Sequence, residues 1–150
     1  MGKKRVIVLC GVSGSGKTWT RTHDLRFKDL PYVDVAEIYR GYYDGDVIAD
    51  WETVVDDAID QVKDLLEAHQ RVVLEGYFLP NTGSRRAVYS SLQRDESQVD
   101  FLDLNVPLDL CIERIEMQWV RGEIEEEDAM KRIEMAKRCL LDSRGDTDDI

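Results

Sequence analysis

RVIVLCGVSGSGKT, residues 5 to 18, joins an apolar run to a glycine-rich turn that closes on a lysine and a threonine. Arg5 to Cys10, bounded by Gly11, reads as a strand buried on both faces, the kind found inside a parallel sheet. Gly11, Gly16, Lys17 and Thr18 satisfy G-x-x-x-x-G-K-[ST], with Gly14 as a further glycine. Glycines at these positions let the backbone turn tightly and aim successive N–H groups at phosphate oxygens, and the helix that follows adds its positive end. Lys17 then reaches the β- and γ-phosphates, and the Thr18 hydroxyl is a ligand for Mg²⁺. The candidate nucleotide-binding segment comprises Gly11, Ser13, Gly14, Ser15, Gly16, Lys17, Thr18 and Trp19. Its plain alternative is a glycine-rich turn with an exposed lysine.

Outward from this loop the chain alternates strand and helix patterns. A helix is expected from about Gly16 to Leu25, placed by the motif more than by periodicity, and a short strand over Tyr32 to Val35 follows Pro31. RGYYDGD (40–46) reads as a loop. From Trp51 to His69 apolar residues recur at i, i+3, i+4 and i+7, with Asp50 placed to cap the N-terminus. RVVLEGYF (71–78) is a second buried strand, LPNTGS (79–84) a loop, Ser84 to about Arg94 a helix, and VDFLDLNV (99–106) a fourth strand. Pro107 suits the first turn of a helix whose Leu108, Cys111, Ile112, Ile115 and Trp119 share a face; Gly122 interrupts it, and a last helix spans Ile124 to Leu141. Strands alternating with helices imply a parallel sheet with right-handed crossovers. The domain is expected over residues 1–141, with 142–150 as an acidic, flexible tail.

Composition narrows the class. With 150 residues the chain fits one domain. No apolar run approaches the roughly 20 residues that cross a bilayer, and the apolar run after the basic start is too short for a secretory signal. A soluble, cytoplasmic protein without a membrane partner is expected. Cys10, Cys111 and Cys139 are odd in number and far apart, without histidines at metal spacing, so they read as reduced, buried thiols. His23 and His69 fit no triad or metal spacing. A net charge of -11 argues against a broad nucleic-acid footprint, though not against a local basic groove.

The stretches GVSGSGKT (11–18), YVDVAEIYR (32–40), VVLEGYF (72–78) and FLDLNVPLDLCIERI (101–115), leading to MQWVRGE (117–123), give the chain a resemblance to a known group. It resembles the P-loop kinases of small molecules and nucleic-acid ends, which include polynucleotide kinase, gluconate and shikimate kinases, zeta toxins and uridine kinase. The resemblance implies an α/β, three-layer P-loop NTPase fold with a short parallel sheet of about four strands and a lid near 114–124. It also implies ATP and Mg²⁺ as cofactors. In that group an Asp beyond the second strand faces the acceptor hydroxyl as base or orienter, and Asp34 matches it; a helix cap for VAEIYR is the structural reading of the same residue. Glu75 stands where the family carries an acidic residue near Mg²⁺. Arg114 and Arg121 match lid arginines that stabilise charge in phosphoryl transfer, with i, i+3 or i+4 pairing to glutamates as the alternative. Arg85 and Arg86 match arginines that hold an acceptor phosphate in some relatives, or are solvated helix residues.

Asp44, Asp46 and Asp50 rival Asp34 but read better as loop and cap residues. Tyr42, Tyr43 and Trp51 are candidates for stacking on a base or sugar; for Trp51 the core is the better reading. No fifth strand is evident, although many relatives use one to build the adenine site. The leading functional reading is a polynucleotide-kinase-like phosphotransferase, its acceptor a 5′-hydroxyl nucleic-acid end or a nucleoside or nucleotide. A sugar-type small-metabolite kinase is the alternative. From another class come a nucleotide-hydrolysing switch, which would resemble GTPases but lacks their N-K-x-D motif, and an ATP-binding regulatory protein without chemistry.

Overall fold

The structure is a computed structural model that describes residues 3–12, 15–44, 50–76, 78, 83–104 and 106–148, with the backbone alone for 43, 44 and 138–148. Within it run β1 (Arg5–Cys10), α1 (Lys17–His23), β2 (Tyr32–Asp34), α2 (Val35–Asp44), α3 (Trp51–Ala68), β3 (Arg71–Gly76), α4 (Gly83–Arg94), β4 (Gln98–Asp103), α5 (Leu108–Val120) and α6 (Glu126–Asp148). The four strands form one parallel sheet in the order β2-β3-β1-β4. This is the expected α/β architecture, with helices layered on both faces of a short sheet.

β1 and β3 occupy the middle of the sheet and are buried from their second residue onward, which is why their apolar runs are unbroken. Side chains alternate between faces with period two. On one face Val6, Val8, Cys10, Val72 and Leu74 pack against Val54, Val55, Ala58, Ile59 and Val62 of α3 and Val88 and Leu92 of α4. On the other, Ile7, Leu9 and Val73 meet Phe27 and Leu30 from the connection between α1 and β2. A third cluster, Val12, Cys111 and Ala136, ties the loop after β1 to α5 and α6.

α3 is the helix its pattern predicts, and the Asp50 carboxylate accepts from the Thr53 backbone N–H at 2.8 Å, the cap the sequence suggests. Trp51 is not core: it is the first residue of α3, ahead of the first buried position, Val54, and is 36% exposed. The segment expected as a loop from 40 is instead helical up to Asp44. Val35, Ile38, Tyr39 and Tyr42 fall at i, i+3, i+4 and i+7 and pack on the main cluster, so tertiary burial carries the helix through Gly41. The Tyr42 hydroxyl is committed to the Asp57 carboxylate at 3.0 Å. The last helix begins at Glu126 and continues to Asp148, beyond the expected end at Leu141. Asp46 lies outside the described residues, as do the side chains of Tyr43, Asp44 and Cys139.

Two glycines give opposite expectations. A Cβ at Gly76 would lie 2.8 Å from the Phe78 ring and 3.0 Å from a Val35 methyl, both buried, whereas a Cβ at Gly41 in α2 meets nothing within 4 Å. Gly76→Ala is expected to cost about 1–3 kcal/mol from overpacking. Gly41→Ala is expected to stabilise by about 0.5–1 kcal/mol through the unfolded chain. Denaturant unfolding of both variants checks the pair.

Candidate functional site

At the C-terminal edge of the sheet β1 leads into Gly11 and Val12, and Ser15 and Gly16 lead into α1. Gly11 N–H donates to the Gly76 carbonyl at 3.3 Å, and Leu104 N–H to the Cys10 carbonyl at 2.9 Å, so the root of the loop is tied to both neighbouring strands. A Cβ at Gly11 would collide with the Ser15 side chain, and Gly16 adopts the left-handed conformation (φ 94°) that opens α1. The Ser15 hydroxyl is buried and has no hydrogen-bond partner. Ser13 and Gly14 lie outside the described residues. Lys17 Nζ donates to the carbonyls of Gly11 (2.8 Å) and Val12 (2.9 Å), which parks its charge inside the loop. Burial lowers the Lys17 ammonium from 10.5 to about 8, while Glu75 and Asp34 pull it upward.

The strand register decides which side chains meet this loop. Asp34 pairs with Glu75, and Glu75 with Leu9, in one row across three strands. Their side chains therefore share the face of Leu9, the face beside the α1–β2 connection. Glu75 is 1% exposed. Burial raises its carboxyl from 4.5 to about 7; Asp34 pushes the same way by charge and by a hydrogen bond, while Arg21 and a Thr18 hydrogen bond pull it back. Glu75 Oε1 has no hydrogen-bond partner. Asp34 also accepts from the Ala36 backbone N–H at 3.0 Å, so the cap reading of this residue holds alongside its place next to Glu75. Among the described residues no three His, Cys, Asp or Glu side chains form a metal cluster of their own. A hydroxyl and a buried carboxylate with an orphaned oxygen fit a Mg²⁺ ion that takes its remaining ligands from a nucleotide.

The four candidate arginines separate. Arg114, on α5, has Nη1 3.7 Å from where a Cβ on Gly16 would stand, so its guanidinium overlies the loop. Arg121 is the exposed C-cap of α5. Arg85 forms a two-point pair with Asp103 at 2.7 and 3.1 Å and stacks on Phe101, while Arg86 is exposed. Asp103 pairs in register with Cys10, one residue out of step with Leu9, so Arg85 binds on the sheet face opposite to Asp34 and Glu75. Trp19 is 65% exposed and stacks on His23 with ring centroids 4.7 Å apart. Cys10 and Cys111 are buried and free, and burial pushes the Cys10 thiol up to about 12, which leaves it unreactive.

No family model and no curated protein matches the sequence. Solved structures do. A chain of the Pnkp1/Rnl/Hen1 RNA repair complex is 16% identical with a TM-score of 0.59; the match covers 95% of this chain and 47% of that one. A provisionally named kinase from Chloroflexus aurantiacus J-10-fl is 18% identical with a TM-score of 0.60, over 87% and 75% of the two chains. A gluconokinase from Sinorhizobium meliloti 1021 is 16% identical with a TM-score of 0.56, over 90% and 76%. The chain shares the α/β fold of these structures, a four-stranded parallel sheet flanked by helices. It spans about half the length of the RNA-repair chain.

Sequence reasoning passed over Arg21, whose Nε lies 3.8 Å from Glu75 Oε1. The available signal was its spacing: one helical turn after Lys17, it faces the same way. A groove of about 430 Å³ is also new, formed by Arg40 near the end of α2, by Glu123, Glu125 and the intervening turn, and by Asp128 and Arg132 of α6. No helix among the described residues is long and apolar enough to cross a membrane.

The raised Glu75 carboxyl makes stability pH-dependent with a definite sign. Below its ordinary 4.5 the group is protonated in both states, so it contributes no penalty; between 4.5 and about 7 only the unfolded chain releases the proton, and stability is lost across that window. Glu75→Gln is therefore expected to raise the Tm of the ligand-free protein above about pH 7 and to leave it unmoved near pH 4. Thermal melts of both proteins across this range check the window.

Proposed function

We propose that this protein is an ATP- and Mg²⁺-dependent phosphotransferase that moves the γ-phosphoryl group to a hydroxyl, with the polynucleotide-kinase-like branch as its nearest functional type and residues 1–141 as the catalytic unit. The observation that carries this reading is the Asp34–Glu75 row beside Lys17 and Thr18. Gripping phosphates needs the loop, its lysine and one metal-associated acid; a second carboxylate at the same edge is what an acceptor hydroxyl needs. Names among the structural neighbours, an RNA-repair chain and a gluconokinase, support the same class of chemistry in proteins of this fold.

In this mechanism Lys17 and the loop N–H groups hold the β- and γ-phosphates, and Thr18 and Glu75 hold Mg²⁺, which when bound neutralises charge on the phosphate oxygens. Asp34 accepts the acceptor's hydroxyl proton as its oxygen bonds to the γ-phosphorus, and the bond from that phosphorus to the β–γ bridging oxygen breaks to release ADP. Arg114, already over Gly16, offsets charge on the transferring group, and Arg121 serves the same end on the lid. Arg86, exposed on α4, remains the candidate for an acceptor phosphate, whereas Arg85 is committed to Asp103 on the opposite face of the sheet. A small-metabolite acceptor is the second reading, favoured by the groove: its Glu123, Glu125 and Asp128 outnumber Arg40 and Arg132, and Arg132 is paired to Asp128 at 3.1 Å. A polyanion gains little there.

Incubation with γ-labelled ATP and Mg²⁺ against 5′-hydroxyl DNA, 5′-hydroxyl RNA, nucleosides and sugars tests the reading. Label is expected on one acceptor class; label found only as free phosphate, at a rate no acceptor changes, refutes it. Lys17→Ala is expected to abolish nucleotide-dependent activity. Asp34→Asn keeps a residue able to cap Ala36 N–H, so it is expected to retain ATP binding and to lose transfer by about 10²–10⁴-fold. Near-wild-type transfer by Asp34→Asn would remove the base assignment.

A further inference from the structure

Arg21 sits in the last turn of α1 with its side chain only 11% exposed. Its guanidinium carbon is 3.6 Å from the centre of the Tyr32 ring, and its Nε is 3.8 Å from Glu75 Oε1. Neither that Nε nor that Oε1 has a hydrogen-bond partner. The pair is thus close enough to share charge and one small displacement short of a hydrogen bond. Asp34 and Glu75 stand directly opposite on neighbouring strands, where a second negative charge is opposed. Lys17 donates to the carbonyls of Gly11 and Val12. Arg21 faces the free oxygen of Glu75, and the flat ring of Tyr32 fixes the plane from which it does so.

We propose that Arg21, clamped on Tyr32, is a positioning residue that holds the Glu75 carboxylate in place for the divalent metal of a bound nucleotide and touches neither nucleotide nor acceptor. The proposal rests on the reading of Thr18 and Glu75 as the metal-holding pair. It does not depend on the transfer reaction. A counter-ion with a purely structural role would support the fold and leave the metal requirement alone, whereas a positioning residue changes how tightly metal is held after the nucleotide has bound.

The test measures Mn²⁺ binding by electron paramagnetic resonance in saturating ADP, and ADP binding by calorimetry in EDTA, on wild-type protein and the variants Arg21→Gln, Arg21→Lys and Tyr32→Leu. Arg21→Gln is expected to weaken Mn²⁺ binding about tenfold or more while ADP affinity in EDTA stays within about twofold. Arg21→Lys, which restores charge without the planar stack, is expected to recover only part of the loss. If Arg21→Gln does not fold, Tyr32→Leu decides, since Tyr32 is 40% exposed on the edge strand; folded Tyr32→Leu is expected to show a smaller loss confined to Mn²⁺. Unchanged Mn²⁺ binding in the folded variants overturns the proposal, and so does an equal loss of ADP affinity in EDTA, which would make Arg21 a nucleotide contact. With no acceptor present, the outcome is separate from whether phosphoryl transfer occurs.

Discussion

Glu75 is 1% exposed, and a lone carboxylate does not stay charged in such a place. Much of the site's arrangement follows from how the chain accommodates that group. The register sets Asp34 beside it, which makes its ionisation harder, while Thr18 and Arg21 of α1 approach it, which makes it easier. Lys17 has the mirror problem: it is an ammonium buried in a loop, with carbonyls for partners and the two carboxylates as its compensating field. Two acids and two bases held this close are marginal as a structural cluster, because desolvation offsets most of the mutual attraction. The same arrangement is well suited to a guest that brings both negative phosphates and a cation, since each side of the cluster then gains the partner it lacks.

The fold makes this economical. A parallel sheet delivers every strand's C-terminal end to one edge, so β1 supplies the loop and β2 and β3 supply one carboxylate each without any long excursion of the chain. Period-two alternation then sorts the next row to the opposite face, where Gly76 makes room for Phe78 and Val35 and where Asp103 fastens α4 through Arg85. The two faces have different tasks. One gathers charge around the loop; the other closes a bidentate ion pair that anchors the helix leading away from β3.

The parts of this arrangement legible in the sequence were those written in consecutive residues. Strands β1 and β3 showed as unbroken apolar runs because both faces are covered, α3 showed as a sustained periodicity with an aspartate cap, and the loop showed as glycines at fixed spacing. What depended on register did not show. Nothing in the spacing of Asp34 and Glu75 says that they are direct neighbours, since 41 positions separate them and only the strand order β2-β3-β1 brings them together. Arg21 was passed over for a related reason: despite its spacing from Lys17, on a seven-residue polar helix it looks like any solvated arginine until β3 and Tyr32 are set beside it. Arg85 and Arg86 are adjacent and chemically identical, yet helical geometry turns one onto Asp103 and the other to solvent. α2 was misread beyond Arg40 because Gly41 and two tyrosines suggest a turn, and the burial of Tyr42 that overrides that suggestion is tertiary.

The α5–α6 hairpin shows how the remaining arginines divide. Its root is held to the phosphate loop through Val12, Cys111 and Ala136, whereas its far end carries Met117, Trp119 and Val120 partly or largely in solvent, followed by Gly122 in a left-handed turn. Arg114 stands near the root, over Gly16; Arg121 stands at the far end, seven residues or about 10 Å further along the helix axis. Seven residues bring the two side chains back to nearly the same face of the helix, so Arg121 lies further out along the line that Arg114 begins. Arg114 is the one whose guanidinium overlies Gly16, and Arg121 is the exposed C-cap at the distal end. Because Val12 belongs to both the root and the loop, the packing of the hairpin reaches directly into the glycine-rich segment.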